Sequence, residues 1–315
     1  MEMKALGDSG IEISSVGVGC MMFGGMCDQA ATDAIVGTAL DLGVNFFDVA
    51  WIYGGEHGKS ETLLGKALGD ARKNVIVATK FGAKLGGGGG ADENGGSREH
   101  IMQAVETSLQ RLGTDYIDLY QQHFPDTGTP VEETLRALDD LVQQGKVRAI
   151  GCSNYTGAQL AEAGEVAKAN NGTPYVTAQN RYSLLFRGIE TDLVPVAEKQ
   201  SVSILPYFPL ESGLLTGKYK RGDKPAADTR FGKWGGGGAF ASDERYDMVE
   251  KLEALGQSIG HSVLDIAIGW LAAKPYVASV IAGVTKPEQI KQNVAAASWL
   301  PDADVMAAIE KIAPQ

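Results

Sequence analysis

The sequence predicts an α/β fold, and within that class a (β/α)8 TIM barrel with an N-terminal β-hairpin and additional C-terminal helices. Short β-branched or aromatic runs alternate with segments of helical periodicity, which is typical of βα units around a parallel sheet. There are eight such runs, and this number favours a closed barrel over an open doubly wound sheet. The 315 residues are enough for one barrel, so we expect residues 1–315 to form a single domain.

The predicted strands begin at residue 16. They are VGVGC at 16–20, NFFDVA at 45–50, VIVATKFG at 75–82, IDLYQQH at 117–123, VRAIGCSN at 147–154, VTAQNRY at 176–182, SILPYFP at 203–209 and VASVIAG at 277–283. Between them, apolar residues recur at i, i+3, i+4 and i+7, as in residues 98–113 and 130–145. This spacing predicts amphipathic helices, several of which end at a glycine suited to a C-cap.

Three segments lie outside the eightfold pattern. MKALGDSGIEIS near the N-terminus predicts a hairpin that turns at Asp8-Ser9-Gly10 and crosses the floor of the barrel. Residues 243–260 and 262–274 predict two helices before the last strand, so one of them is additional to the barrel. Residues 301–313 predict a terminal helix.

Composition and charge exclude several classes of protein. The net charge is -11, with no run of five or six lysines or arginines, which does not favour binding to nucleic acid or to anionic lipid. No stretch reaches 18 consecutive apolar residues, and MEMKALGDSG lacks the apolar core of a signal peptide, so we expect a cytoplasmic protein without a membrane span. Neither the three cysteines nor the four histidines follow a metal-ligand spacing, so no metal is predicted.

Polar residues recur at the predicted strand ends, although strand positions in a barrel should be apolar. They are Asp48, Lys80, His123, Ser153, Asn154, Gln179 and Tyr207. Because the carboxyl ends of all eight strands open on one face of a barrel, these side chains should converge on a single cavity rim. The pattern therefore predicts an active site at this rim.

Four residues near this rim suggest proton-transfer chemistry. Tyr53 follows Asp48 by five residues, and a tyrosine with a pKa of about 10 is a poor acid at neutral pH unless a cation stabilises its phenolate. Lys80 could supply that cation, and Asp48 could balance the charge of the buried lysine and fix its position. His123 could donate a hydrogen bond to a substrate oxygen from the other side.

Six blocks of sequence, in order along the chain, resemble the aldo-keto reductase superfamily. They are GVNFFDVAWIYGGEHGKSETLLGKAL, VIVATKFG, SREHIMQAVETSLQRLGTDYIDLYQQHFPD, GKVRAIGCSNYT, PYFPLESGLLTGKY and VIAGVTKPEQIKQN. The resemblance implies an oxidoreductase that uses a nicotinamide dinucleotide, with Asp48, Tyr53, Lys80 and His123 as the catalytic tetrad.

The resemblance also implies which residues hold the cofactor. Ser153, Asn154 and Gln179 would bind the nicotinamide carboxamide, and Tyr207 would stack on the ring. The segment LESGLLTGK would wrap the pyrophosphate through Leu210, Ser212, Gly213, Leu215, Gly217 and Lys218. The adenosine phosphate would lie at residues 281–293, where many members carry an arginine that this chain lacks; its contacts would be Gly283, Thr285, Lys286, Gln289 and Asn293. Lys286 favours NADPH by a modest margin, with NADH possible.

The sequence leaves the substrate and two alternative functions open. Aromatic candidates for the walls of a substrate pocket are Trp51, Phe81, Phe124 and Trp234, which suit a small carbonyl or the matching alcohol or sugar. The glycine-rich segments 84–96 and 231–238 could be lids or plain linkers. Lys80 could instead serve a Schiff-base lyase, or the pocket could belong to a non-catalytic cofactor-sensing module. The oligomeric state is undetermined.

Overall fold

The computed structural model describes residues 1–54, 58–84, 90–233 and 235–315. Within these residues an eight-stranded parallel sheet forms the centre of the molecule. Its strands are β3 (Val16–Gly19), β4 (Phe46–Asp48), β5 (Ile76–Phe81), β6 (Ile117–Gln122), β7 (Val147–Ser153), β8 (Tyr175–Arg181), β9 (Ser203–Tyr207) and β10 (Val280–Gly283).

The strands pair in the order β10, β3, β4, β5, β6, β7, β8, β9. Hydrogen bonds of the Ile204 backbone to the segment before β10 complete the ring: Ile204 N donates to Tyr276 O at 2.7 Å, and Ala278 N donates to Ile204 O at 3.1 Å. The predicted (β/α)8 barrel is confirmed. The last strand begins later than predicted, because residues 277–279 contact β9 through a single isolated bridge rather than a continuous ladder.

Helices surround the sheet in the predicted alternation. They are α1 (Gln29–Asp41), α2 (Lys59–Leu68), α3 (Arg98–Leu112), α4 (Val131–Gln143), α5 (Gly157–Ala169), α6 (Ile189–Lys199), α7 (Arg230–Lys233), α8 (Asp243–Ile259), α9 (Val263–Ala272), α10 (Pro287–Ala297) and α11 (Ala303–Ile312). Asp28, Ser97 and Ser262 begin their helices by accepting a hydrogen bond from a backbone amide of the first turn. In the described part of the chain, no helix is long and apolar enough to cross a membrane.

The predicted hairpin covers the amino-terminal end of the barrel. Strands β1 (Met3–Ala5) and β2 (Glu12–Ser14) pair in antiparallel fashion. Leu6 and Ile13 are fully buried, and they pack with Phe46 and other inward-facing strand residues. The hairpin therefore fills the floor of the barrel, which leaves the carboxyl ends of the strands as the open end.

Strand alternation divides the core into two layers, and β5 illustrates the division. Ala78 packs in the small cluster inside the barrel, whereas Val77 and Phe81 pack in the large cluster between sheet and helices. Because successive side chains of a strand point to opposite faces, Lys80 lies on the same side as Ala78. Its ammonium is thereby placed inside the barrel, next to Asp48.

A close contact between two helices depends on a glycine. Gly65 of α2 lies against the end of α3, where an added Cβ would be 2.3 Å from the carbonyl oxygen of Leu112. Gly37 of α1 offers a matched contrast, because an added Cβ there would meet no atom within 4 Å. Both positions are inside helices, so only their surroundings differ.

We expect Gly65→Ala to lower the free energy of unfolding by about 1 to 3 kcal/mol, because the new methyl group forces α2 away from α3. Gly37→Ala should raise it by about 0.5 to 1 kcal/mol, because alanine loses less backbone entropy in an open helix position. Urea unfolding followed by circular dichroism measures both. Equal shifts in the two variants would contradict the close contact between these helices.

Candidate active site

Buried polar side chains occupy the carboxyl ends of five barrel strands or the residue that follows. Lys80, Ser153, Gln179, Asp48 and His123 expose between 0% and 8% of their surface. The strands bring them together as predicted, because the carboxyl ends of parallel strands open on the same face of the barrel. Polar groups buried this deeply need partners, and the hydrogen bonds among them define the site.

An ion pair between Lys80 and Asp48 lies at the centre of the site. The Lys80 Nζ atom donates to Asp48 Oδ1 at 2.8 Å, to Asp48 Oδ2 at 2.7 Å and to the carbonyl oxygen of Val49 at 2.9 Å. Gln179 Nε2 donates to Asp48 Oδ1 at 2.8 Å. Burial lowers the pKa of Lys80, but the negative charge and the hydrogen bonds of Asp48, together with the neighbouring Tyr53 hydroxyl, outweigh burial and raise that pKa above its ordinary value. The ammonium is therefore charged at neutral pH.

Tyr53 lies above this ion pair, in the segment that follows β4. The centre of its ring is 5.2 Å from Lys80 Nζ. Burial raises the pKa of the Tyr53 phenol, the Lys80 charge lowers it, and the Asp48 charge raises it, with a net increase. Lys80 lowers the pKa of Tyr53, as the sequence suggested, but the effect of burial on that pKa is larger. Tyr53 is therefore protonated at neutral pH, which is the form that a proton donor requires.

His123 approaches Tyr53 edge-on, with 5.8 Å between ring centres and an interplanar angle of 82°. Burial lowers the pKa of His123 well below its ordinary value, and the charge of Lys80 lowers it further. The imidazole is therefore neutral. Its Nδ1 atom is buried and has no hydrogen-bond partner within the described residues, so the ring can still interact with a bound molecule.

A second group of polar side chains lies beside the first. The Tyr207 hydroxyl donates to Asn154 Oδ1 at 2.7 Å, and Asn154 Nδ2 donates to the carbonyl oxygen of His123 at 2.9 Å. Ser153 Oγ donates to the carbonyl oxygen of Gln179 at 2.7 Å. These are the residues that the sequence predicts around a nicotinamide ring, and the structure brings them together next to Asp48 and His123.

The segment after β9 forms a tight turn with an unpartnered hydroxyl. Ser212, Gly213 and Gly217 have positive φ angles of 58°, 99° and 73°, which allow a close backbone approach to a ligand. Ser212 Oγ is buried without a hydrogen-bond partner within the described residues. This free hydroxyl and the turn fit a phosphate group. Leu215 is fully buried in the outer core, so only its backbone could lie along a ligand.

Sequence reasoning missed the residues that anchor this turn. Glu211 is fully buried, and its carboxylate accepts hydrogen bonds from Arg181 Nε at 3.2 Å, Ser183 Oγ at 2.9 Å and Arg245 Nη1 at 2.8 Å. The turn that carries Ser212 is thereby tied to the end of β8 and to the start of α8. The available signal was Glu211 itself, the one acidic residue of the segment 210–218.

The predicted adenosine-phosphate residues surround the start of α10. Gln289 Oε1 accepts from the amides of Thr285 at 2.7 Å and Lys286 at 3.3 Å, so this side chain caps the helix. Asn293 is only 3% exposed. The Lys286 side chain is 64% exposed, and its Nζ atom lies 3.7 Å from Asp228 Oδ2. Water therefore screens its charge, and Asp228 partly neutralises it.

Arg230 is a second cation at this place that the sequence did not indicate. An added Cβ on Gly283 would lie 3.4 Å from Arg230 Nη2, and the guanidinium carbon is 5.9 Å from the centre of the Phe208 ring. Arg230 therefore lies between the ends of β9 and β10. Only the folding of the long segment after β9 brings it there.

The predicted walls of the substrate pocket separate in the structure. Trp51 and Phe124 are half-buried; Trp51 meets His100 edge-on at 5.3 Å, and Phe124 stacks on His123 at 4.9 Å. Phe81 is fully buried in the outer layer, where its ring lies 4.8 Å from that of Tyr120. Its assignment to the pocket is corrected, because its neighbour Lys80 occupies the inward face of the strand.

Two predictions concern residues that the structure does not describe. Trp234 lies outside the described residues, as do residues 85–89 of the glycine-rich segment 84–96. The roles of 84–96 and 231–238 as lids stay predictions.

In the described part of the chain, no group of three or more histidine, cysteine or acidic side chains could hold a metal ion. Cys20, Cys27 and Cys152 are buried and free, and burial raises the pKa of each thiol.

Comparisons with known proteins identify the family of this chain. The model of the aldo/keto reductase family matches residues 15–314. A probable voltage-gated potassium channel subunit beta from Oryza sativa subsp. japonica is 35% identical over 96% of this chain and 92% of its own length. A protein of the same name from Arabidopsis thaliana is 33% identical over the same shares. An uncharacterized oxidoreductase from Bacillus subtilis (strain 168) is 33% identical over 100% of this chain and 96% of its own length. The chain therefore belongs to the aldo/keto reductase family.

Proposed function

We propose that this protein is an NADPH-dependent oxidoreductase that reduces a small aldehyde or ketone, or oxidises the matching alcohol or sugar, with Tyr53 as the general acid or base. The observation that carries the proposal is the Tyr53 ring 5.2 Å from the buried Lys80 ammonium, which Asp48 holds in place. Membership of the aldo/keto reductase family and the similarity to a protein named as an oxidoreductase support it.

Each residue of the tetrad has a distinct task in this proposal. Tyr53 donates its proton to the carbonyl oxygen, and Lys80 stabilises the phenolate that remains. Asp48 holds the ammonium through two short hydrogen bonds. The neutral His123 orients the substrate oxygen. When it is bound, the reduced nicotinamide supplies the hydride, so that the carbonyl gains one hydride and one proton and becomes an alcohol.

The residues available for the cofactor extend from the tetrad to the start of α10. Ser153, Asn154, Gln179 and Tyr207 would contact the nicotinamide end. The turn at residues 210–218 would hold the pyrophosphate, with the free hydroxyl of Ser212 as a donor. Lys286 would face the adenosine phosphate, and Arg230 is a second cation near Gly283. Two cations in this region favour NADPH over NADH.

The two alternative functions differ in their support. A Schiff-base lyase needs a lysine whose pKa is lowered, whereas the pKa of Lys80 is raised and its ammonium is held by Asp48 and Val49. The cofactor-sensing module has some support from the names of the two plant relatives. Turnover of NADPH with 4-nitrobenzaldehyde separates it from the proposed enzyme, because a sensing module would bind NADPH without steady oxidation of the cofactor.

We expect Tyr53→Phe to lower the kcat of carbonyl reduction by about 10²- to 10⁴-fold, because the variant lacks the proton donor. The Kd for NADPH, followed by quenching of protein fluorescence, should stay unchanged. Tyr116→Phe is the control, since Tyr116 lies at the amino-terminal end of the barrel beneath Arg72. Wild-type turnover in Tyr53→Phe would refute the assignment.

Lys80→Met should lower the rate and move the acidic limb of the pH profile for alcohol oxidation to higher pH. Oxidation needs the Tyr53 phenolate as a base, and Lys80 is the charge that lowers the pKa of Tyr53. Without it, burial and Asp48 raise that pKa further. The profile is measured with a deuterated alcohol, so that the isotope effect identifies the chemical step as rate-limiting. An unmoved limb would count against this role of Lys80.

Lys286→Glu should weaken binding of NADPH and leave binding of NADH nearly unchanged, which abolishes or reverses the preference between them. Because Lys286 is largely exposed, we expect the loss to be about tenfold rather than a hundredfold. Lys291→Glu makes the same change of charge on the same helix and serves as the control. Equal loss of both cofactors in Lys286→Glu would show that Lys286 does not face the phosphate.

A further inference from the structure

The segment that carries Tyr53 leaves β4 without regular structure and depends on hydrogen bonds at both ends. The Trp51 amide donates to the carbonyl oxygen of Lys80 at 3.2 Å, and the Tyr53 amide donates to that of Ala50 at 3.0 Å. On the other side, the Ser60 amide at the start of α2 donates to the carbonyl oxygen of Tyr53 at 3.2 Å. The position of the phenol therefore depends on where α2 lies.

Glu61, next to Ser60, is a fully buried carboxylate that none of the tetrad residues contacts through a hydrogen bond. Its Oε1 atom accepts from Thr79 Oγ1 at 2.6 Å, and its Oε2 atom lies 3.3 Å from Arg111 Nη1. Thr79 precedes Lys80 on β5 and points to the opposite face. Glu61 thus ties the first turn of α2 to the strand that carries the catalytic lysine. A buried carboxylate is costly unless it is paired and hydrogen-bonded in this way.

Arg111, near the end of α3, extends this connection to the Tyr53 segment itself. The same Nη1 atom donates to the carbonyl oxygen of Trp51 at 3.3 Å. The guanidinium also packs flat against Gly58, where an added Cβ would be 2.1 Å from Nη1. One side chain therefore contacts the chain before Tyr53, at Trp51, and after it, at Gly58, while it is paired with Glu61.

We propose that Glu61 and Arg111 are positioning residues that hold the Tyr53 phenol at the reacting centre. The inference rests on the proposed function, in which Tyr53 transfers the proton. Neither side chain forms a hydrogen bond with a tetrad side chain; Arg111 contacts the backbone on both sides of Tyr53, and Glu61 holds Arg111. Displacement of a general acid by about 1 Å can lower the rate about a hundredfold. Loss of the positioning by Glu61 and Arg111 should therefore lower kcat.

Three conservative substitutions remove different parts of the connection. Glu61→Gln keeps the size of the side chain and removes the charge that holds Arg111. Arg111→Lys keeps the charge but replaces the guanidinium, whose Nη1 atom contacts both Glu61 and Trp51, with an ammonium on a flexible stem that cannot pack against Gly58 in the same way. Thr79→Val keeps the volume and removes the 2.6 Å hydrogen bond, which makes it the mildest variant if either of the others folds poorly.

A matched control lies at the opposite end of the barrel. Asp118 of β6 is also a fully buried carboxylate paired with arginine: its Oδ2 atom is 2.8 Å from Arg72 Nη1, and its Oδ1 atom accepts a hydrogen bond from Arg148 Nη1 at 2.6 Å. It also accepts a hydrogen bond from the Val77 amide at 3.0 Å. Asp118→Asn therefore removes a buried negative charge that links β6 to β5, but at the amino-terminal end of these strands, away from Tyr53.

The experiment measures kcat and KM for 4-nitrobenzaldehyde with NADPH, the Tm, and the rate of amide hydrogen exchange in residues 51–54. Glu61→Gln and Arg111→Lys should lower kcat by about 10- to 100-fold with a smaller change in KM, and they should speed exchange at Trp51 and Tyr53. Asp118→Asn should lower Tm without either effect. The inference would be overturned if kcat fell in proportion to the fall in Tm across all variants. It would also be overturned if Glu61→Gln and Arg111→Lys left the exchange rates of residues 51–54 unchanged.

The kcat values and the exchange rates together separate this inference from the proposed function. If the wild-type protein binds NADPH but reduces no carbonyl, the proposed function fails, and the exchange rates still decide whether Glu61 and Arg111 hold the Tyr53 segment. If Tyr53→Phe loses activity while Glu61→Gln keeps full kcat and slow exchange, the proposed function survives and the positioning role is refuted.

Discussion

The ion pair of Lys80 and Asp48 is the interaction on which the candidate site depends. An unpaired ammonium inside a barrel would lose its proton or draw in water, because burial disfavours the charged form. Asp48 raises the pKa of Lys80 instead, and it is itself held by Gln179. The retained charge then acts on Tyr53 and His123, where it lowers the pKa of both groups.

The pairing also fixes what each neighbour can do. Burial and Lys80 keep His123 neutral, so that it offers a hydrogen bond rather than a second positive charge. Burial raises the pKa of Tyr53 further above neutral pH, so the phenol keeps the proton that it donates in the proposed reaction. The same buried surroundings thus give an acid and a neutral hydrogen-bonding group side by side, although the free side chains would titrate about three and a half pH units apart.

Two further buried carboxylates hold the loops around this centre. Glu61 ties the Tyr53 segment to β5 and α3, and Glu211 ties the turn at Ser212 to β8 and α8. In both cases a carboxylate is paired with arginine from another part of the chain, and the loop that it holds carries a residue of the proposed site. Both loops are thereby anchored to the barrel, as the precise geometry of the proposed proton transfer requires.

The barrel and the convergence of most of the central polar residues could be predicted from the sequence, because both follow from local patterns. Strand and helix periods predict the alternation, and the shared face of parallel strand ends predicts that Asp48, Lys80, His123, Ser153 and Gln179 converge. Strict use of the two-residue strand period would also have placed Phe81 outside the pocket, opposite Lys80.

The long-range pairings and the balance of charges, in contrast, depend on the three-dimensional fold. Glu61 and Arg111 are 50 residues apart in the chain, and nothing in their local sequence predicts that they meet behind Tyr53. Arg230 reaches Gly283 only through the path of the segment after β9. The direction in which the pKa of Tyr53 shifts likewise depends on how completely the fold removes water from the phenol. This desolvation is set by the three-dimensional surroundings of the side chain and cannot be derived from the order of the residues.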